Sequence, residues 1–174
     1  MKELKFQKKI DIHLNPGELY IAETPTLIKT ILGSCISMIF YCDRLGISGI
    51  THAQLPGKSN TDRCYDHCPA PCGSKDQSQE AFKYVTSSTQ YMLNQFKAKK
   101  IMPHEIEIKL FGGANVLKAI HSLKTVGEKN ITASLDIIEQ YRLRLTAEDT
   151  GGNRGRTLYL FSHSGEVRVF THKN

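Results

Sequence analysis

Cys35 and His52 are the two side chains whose types and spacing could together do covalent chemistry. Cys35 closes Ile31-Leu32-Gly33-Ser34-Cys35 and opens onto the apolar run Ile36-Ser37-Met38-Ile39-Phe40-Tyr41. His52 lies late in Gly46-Ile47-Ser48-Gly49-Ile50-Thr51-His52-Ala53-Gln54-Leu55-Pro56. The two are 17 positions apart, enough for two strands and a tight turn. A thiol is mostly protonated at neutral pH and reacts well only beside a base or a positive charge. An imidazole set next to it across a hairpin would make a cysteine nucleophile. Gly33 and Ser34 permit a sharp bend and leave backbone N–H groups to face a developing oxyanion. The competing reading is structural: a cysteine in an apolar run is commonly core, and a histidine at a strand end commonly serves only as a hydrogen-bonding group. If His52 is a base with an ordinary pKa, activity should fall between about pH 7 and pH 5.

The elements that must position this pair follow from periodicity. Glu18 to Ala22, Thr26 to Leu32, Ile36 to Tyr41 and Ile47 to Leu55 read as strands, with Asp43-Arg44-Leu45-Gly46 as a turn. Gln79 to Phe96 carries apolar residues at helical spacing, and so does Glu128 to Tyr141. Glu105 to Phe111 alternates as a half-buried strand ended by Gly112-Gly113. Leu143 to Ala147 is a strand followed by a loop over 149–153, and Thr157 to Phe161 with Glu166 to Thr171 forms a hairpin about Ser164-Gly165. The mix of strands and two longer helices predicts one layered α/β (α+β) domain over 1–174.

Composition narrows the function classes. At 174 residues and 40% hydrophobic content the chain can bury a core. No apolar run nears the roughly 20 residues that cross a bilayer, and Met1 to Phe6 lacks a secretory apolar region, so a cytoplasmic address without membrane insertion is expected. The net charge of +6 is scattered, and its densest cluster, Lys97 to Lys100, reads as a helix end. That argues against nucleic-acid binding and suits an acidic protein surface equally well. A monomer is expected. Five cysteines in a reducing compartment make a poor disulfide framework, and Cys42 is assigned to packing.

Several segments together resemble one family. Leu32-Gly33-Ser34-Cys35 and Gly49 to Pro56 are similar to the two signature segments of the CheD family of chemotaxis receptor glutamine deamidases. Lys109 to Ala114, Val126-Gly127-Glu128-Lys129-Asn130 and Ala147 to Arg156 resemble its third, fourth and fifth motifs, in family order. The resemblance implies an α/β layered sandwich with mixed sheets, related to toxin deamidase catalytic domains. It implies hydrolysis of glutamine side-chain amides on methyl-accepting chemotaxis receptors, no required cofactor, and binding to a CheC-type phosphatase. The alternative is a non-catalytic adaptor that docks receptors or CheC through the same cleft. Carried over, Cys35 would be the nucleophile and His52 the base. The family's third catalytic residue is a threonine that orients the histidine. Gapless counting from one family pattern lands on Lys29, Thr30 lies next to it, and Thr26 is in reserve; Thr30 is preferred. Ser34, Gly33, Gln54, Gly112 and Gly113 are candidate substrate contacts. Glu128 and Asn130, at a helix start, read as capping residues.

The stretch 58–75 is a long loop that departs from a minimal deamidase. Cys64, His67, Cys68 and Cys72 could supply a Cys₃His set for zinc, although their spacing is not the usual paired one. A disulfide or plain reduced thiols are the alternatives.

Overall fold

The structure is a computed structural model that describes residues 11–57, 82–116 and 124–173. It contains β1 (Ile12–His13), β2 (Leu19–Ala22), β3 (Leu27–Leu32), β4 (Ile36–Cys42), β5 (Ile47–Thr51), α1 (Val85–Ala98), β6 (Glu107–Gly112), α2 (Val126–Gln140), β7 (Arg144–Thr150), β8 (Arg156–Phe161) and β9 (Glu166–Thr171). Three layers result. A four-stranded sheet runs β1-β3-β8-β9, and a five-stranded sheet runs β2-β5-β4-β6-β7. The two helices cover the far face of the larger sheet.

The period of two along a strand decides which layer each side chain meets. On β4, Ile36, Met38, Phe40 and Cys42 join Val85, Met92, Phe96, Ile137 and Ile138 in a core beneath the helices. Ile39 points the other way and joins Ile28, Leu32, Ile50, Leu158 and Leu160 between the sheets. Both faces of β4 are covered, which is why its seven residues are all buried and read as an unbroken apolar run. Burying Cys42 in the helix-side core agrees with its assignment to packing.

The turn Gly33 to Cys35 carries the chain from the smaller sheet to the larger one. The β4–β5 pair is the expected antiparallel hairpin, closed by a 3-10 turn over Asp43–Leu45. Helix α2 starts at Thr125, whose hydroxyl accepts from the Glu128 N–H while the Glu128 carboxylate accepts from the Thr125 N–H.

Some boundaries differ from expectation. Strand β5 ends at Thr51 rather than Leu55. The Thr51 hydroxyl takes both Met38 backbone positions, accepting from its N–H at 3.1 Å and donating to its carbonyl at 3.3 Å. A side chain wedged there replaces the ladder bonds, and beyond it only the single bridge Ile36↔Ala53 joins the two chains. Strand β7 runs on to Thr150, through residues expected to be loop, because it pairs with β6 as far as Gly112↔Thr150. Strand β1 is two residues long, too short to leave a periodic signal. The described part of the first helix begins its regular run at Val85.

Candidate functional site

The site sits at one end of the sandwich, between the two sheets. Ile28, Thr30 and Leu32 share the inward face of β3, so Thr30 is buried between the sheets. Lys29 points to the opposite face, where its ammonium lies 5.7 Å from the centre of the Tyr159 ring. The neighbouring hydroxyl at Thr30, not Lys29, therefore faces the core. Thr26 is engaged elsewhere: its hydroxyl donates to the Thr24 carbonyl and its N–H donates to Ser162 Oγ.

His52 comes from the larger sheet. Its backbone is held on the β2 side, with its N–H donating to Glu18 at 2.9 Å and its carbonyl accepting from Gly17 at 2.8 Å. Its Nδ1 lies 2.7 Å from Thr30 Oγ1. Thr30 Oγ1 in turn donates to the Leu14 carbonyl at 2.9 Å. A hydroxyl has one proton, and a carbonyl can only accept it. Thr30 must therefore accept from the ring, which assigns the proton to Nδ1 and leaves the lone pair on Nε2. Among the described residues, Nε2 is buried with no hydrogen-bond partner.

Burial lowers the His52 pKa to about 4, partly opposed by the Leu14 carbonyl and by the charge of Glu18. Burial raises the Cys35 thiol, partly opposed by its own backbone N–H. The resting pair is thus a neutral thiol and a neutral imidazole, not a preformed ion pair.

Cys35 is half-buried and packs against the inter-sheet core. The bridge Ile36↔Ala53, with N–H to carbonyl distances of 2.9 Å both ways, fixes its relation to His52. In that register Cys35 lies opposite Gln54, and Ser37 opposite His52. Cys35 and His52 are diagonal neighbours on one face, a separation of about 7–8 Å between backbones that side chains can span. Among the described residues, the thiol and Nε2 make no hydrogen bond.

The glycine motifs support the thiol's backbone. The Gly113 N–H donates to the Cys35 carbonyl at 2.7 Å, and the Ala114 N–H to Gly33 at 2.8 Å. Gly112 has φ +111°, and a Cβ there would stand 2.3 Å from the Cys35 carbonyl oxygen. Gly151 donates to the Gly112 carbonyl at 2.8 Å. The buried Arg156 guanidinium holds that loop, donating to Gly151 and to the backbone and carboxylate of Asp149. Gly112 and Gly113 thus meet the Cys35 turn directly, and Gly151-Gly152 backs them.

Ser34 and Gln54 are half-buried beside Cys35. Their carbonyls are both claimed by Asn130 Nδ2, at 2.9 and 3.0 Å. Asn130 is fully buried and is not a capping residue, unlike Glu128. Position in the first helical turn suggested capping; the pull of two inward carbonyls gives it a different role. Cys64, His67, Cys68 and Cys72 lie outside the described residues, as does the rest of the 58–75 loop. Among the described residues no helix is long and apolar enough to cross a membrane.

A half-buried thiol and an oriented, buried imidazole between the two sheets of an α/β sandwich define a candidate thiol-chemistry site. The family model described as CheD chemotactic sensory transduction matches residues 69–171. A probable chemoreceptor glutamine deamidase CheD of Geobacter sulfurreducens is 35% identical over 156 residues, covering 90% of this chain and 86% of the relative. Similarly described proteins of Sulfurimonas denitrificans and Oleidesulfovibrio alaskensis are 31% and 32% identical, covering 95% and 91% of this chain and 95% and 71% of the relatives. The chain belongs to the CheD family.

Proposed function

We propose that this chain is a chemoreceptor glutamine deamidase, hydrolysing receptor glutamine side chains to glutamate with Cys35 as nucleophile. His52 Nε2 takes the thiol proton as Sγ attacks the carboxamide carbon. The same proton then passes to the departing nitrogen, and ammonia leaves a thioester. Water gives a proton to Nε2 and attacks the thioester carbon. Collapse releases glutamate and returns the proton to Cys35. Every proton is accounted for without a cofactor. Thr30 holds the Nδ1–H through both steps.

The observation that carries this reading is the chain Leu14 carbonyl, Thr30 hydroxyl, His52 Nδ1–H, which leaves a free Nε2 lone pair on the face that Cys35 shares. The relatives' names supply the substrate class. The Cys35 N–H has no backbone acceptor among the described residues, which suits a developing oxyanion. Gly33, Ser34, Gly112 and Gly113 shape the turn a glutamine would approach. The scattered positive charge fits acidic partners, including receptors and a CheC-type phosphatase, in the cytoplasm.

The test is ammonia release from a purified receptor cytoplasmic fragment, with glutamine-to-glutamate conversion read by mass spectrometry. The native chain should convert specific glutamines, and Cys35→Ala should convert none while keeping its fold. Conversion by Cys35→Ala would overturn the mechanism. No conversion by the native chain would favour the docking-only reading.

A further inference from the structure

The antiparallel ladder that joins the Cys35 and His52 chains stops at Ile36↔Ala53. Past that bridge the chains part. Gln54 and Leu55 turn away, both donating to the Lys83 carbonyl at 2.7 and 3.0 Å. Gly33 to Cys35 leaves for the other sheet. At this fork one side chain bonds to both arms: Asn130, from α2, donates to the Ser34 and Gln54 carbonyls.

The orientation of that amide is determined by its neighbours. Both contacts are carbonyl oxygens, so only the NH₂ end can face them. Among the described residues, the other end, Oδ1, is buried without a partner. Leaving a buried acceptor unsatisfied costs stability, so a residue bearing that cost for core packing alone is out of place. Ser34 precedes the nucleophile, and Gln54 follows the base by two residues. Closing the fork holds the arm that carries Cys35 against the segment that follows His52.

We propose that Asn130 is a positioning residue for the Cys35–His52 pair, its one amide closing the fork and setting the distance between thiol and imidazole. This rests on the thiol mechanism proposed above. Asn130 does not touch substrate in this view; it acts through the two carbonyls it holds.

The test is a double-mutant cycle on kcat for deamidation of a purified receptor cytoplasmic fragment. His52→Ala is expected to lower kcat of the otherwise native chain at least about a hundredfold. On an Asn130→Leu background, which keeps the volume but removes both donors, the same change should matter less than about tenfold. Deamidation by Asn130→Leu should lose about 10- to 100-fold in kcat with KM within threefold. Ile137→Ala, a core change on the same helix, should lower the melting temperature without weakening the His52 effect. If Asn130→Leu does not fold, Asn130→Asp, of the same size and with at most one donor, takes its place in the cycle. An undiminished His52 effect on either background overturns the positioning role and leaves the mechanism standing. A native chain indifferent to His52→Ala overturns both.

Discussion

Thr30 Oγ1 lies 2.7 Å from His52 Nδ1, and the two come from different sheets. The hydroxyl can accept from the ring only because its own proton is committed to the Leu14 carbonyl. A neutral hydroxyl thus does here what a carboxylate does in charged triads: it selects the tautomer and holds the ring.

Thr30→Val removes the hydroxyl acceptor from the ring N–H and the hydroxyl donor from the Leu14 carbonyl. An unsatisfied buried group costs about 1–3 kcal/mol, equivalent to about 10- to 100-fold in rate if the cost falls on the reacting geometry. Thr30→Ser should retain most of the activity. Lys29→Met should leave kcat unchanged, because Lys29 faces the other side of the sheet. Steady-state ammonia release checks all three.

The acid limb of activity should lie near pH 4 in kcat/KM, not between pH 7 and 5, because burial holds the His52 pKa at about 4. The ordinary-pKa expectation from sequence is corrected to that extent. Stability follows the same group. Between pH 6.5 and 4 the unfolded chain binds a proton that the folded chain refuses, so stability is complete above pH 6.5 and declines below it. The full loss is about 3 kcal/mol. Urea titrations at several pH values should show the midpoint falling through that window, and the fall should vanish in His52→Ala.

Cys35 should alkylate slowly at neutral pH, because burial disfavours its thiolate. Its rate should keep climbing with pH through 9 without a plateau. A plateau near neutrality would reveal a thiolate–imidazolium pair instead. Peptide-resolved iodoacetamide kinetics distinguish the two, and Cys42, buried in the helix-side core, should remain unmodified in the native chain.

Gly112→Ala should impair both folding and activity. It places a Cβ 2.3 Å from the Cys35 carbonyl in a conformation that side chains rarely adopt. The backbone strain alone costs about 1–3 kcal/mol, and relief requires shifting the Cys35 turn. Thermal melts should show the loss, and kcat should fall further than in a variant of equal stability elsewhere.

The sequence carried the strands and the Cys35–His52 hairpin because period-two burial and apolar runs leave a direct mark. It also carried more about Thr30 than a residue count used: Ile28, Thr30 and Leu32 alternate on one face, so the phase of β3 alone separates Thr30 from Lys29. Other parts had no local signal. The Leu14 acceptor is a backbone atom. The transfer of β3 to a different sheet from β4 is decided by packing across the sandwich. Asn130 reads as a capping residue in any one-dimensional view, since its carbonyl partners are 96 and 76 residues away.

Because Thr30 belongs to the smaller sheet and His52 to the larger one, neither sheet alone contains the pair. A loosened state that retained every strand but let the layers slide would keep its circular dichroism and lose its base. Activity in this protein should therefore be a sensor of interlayer registry, failing before secondary structure does on heating.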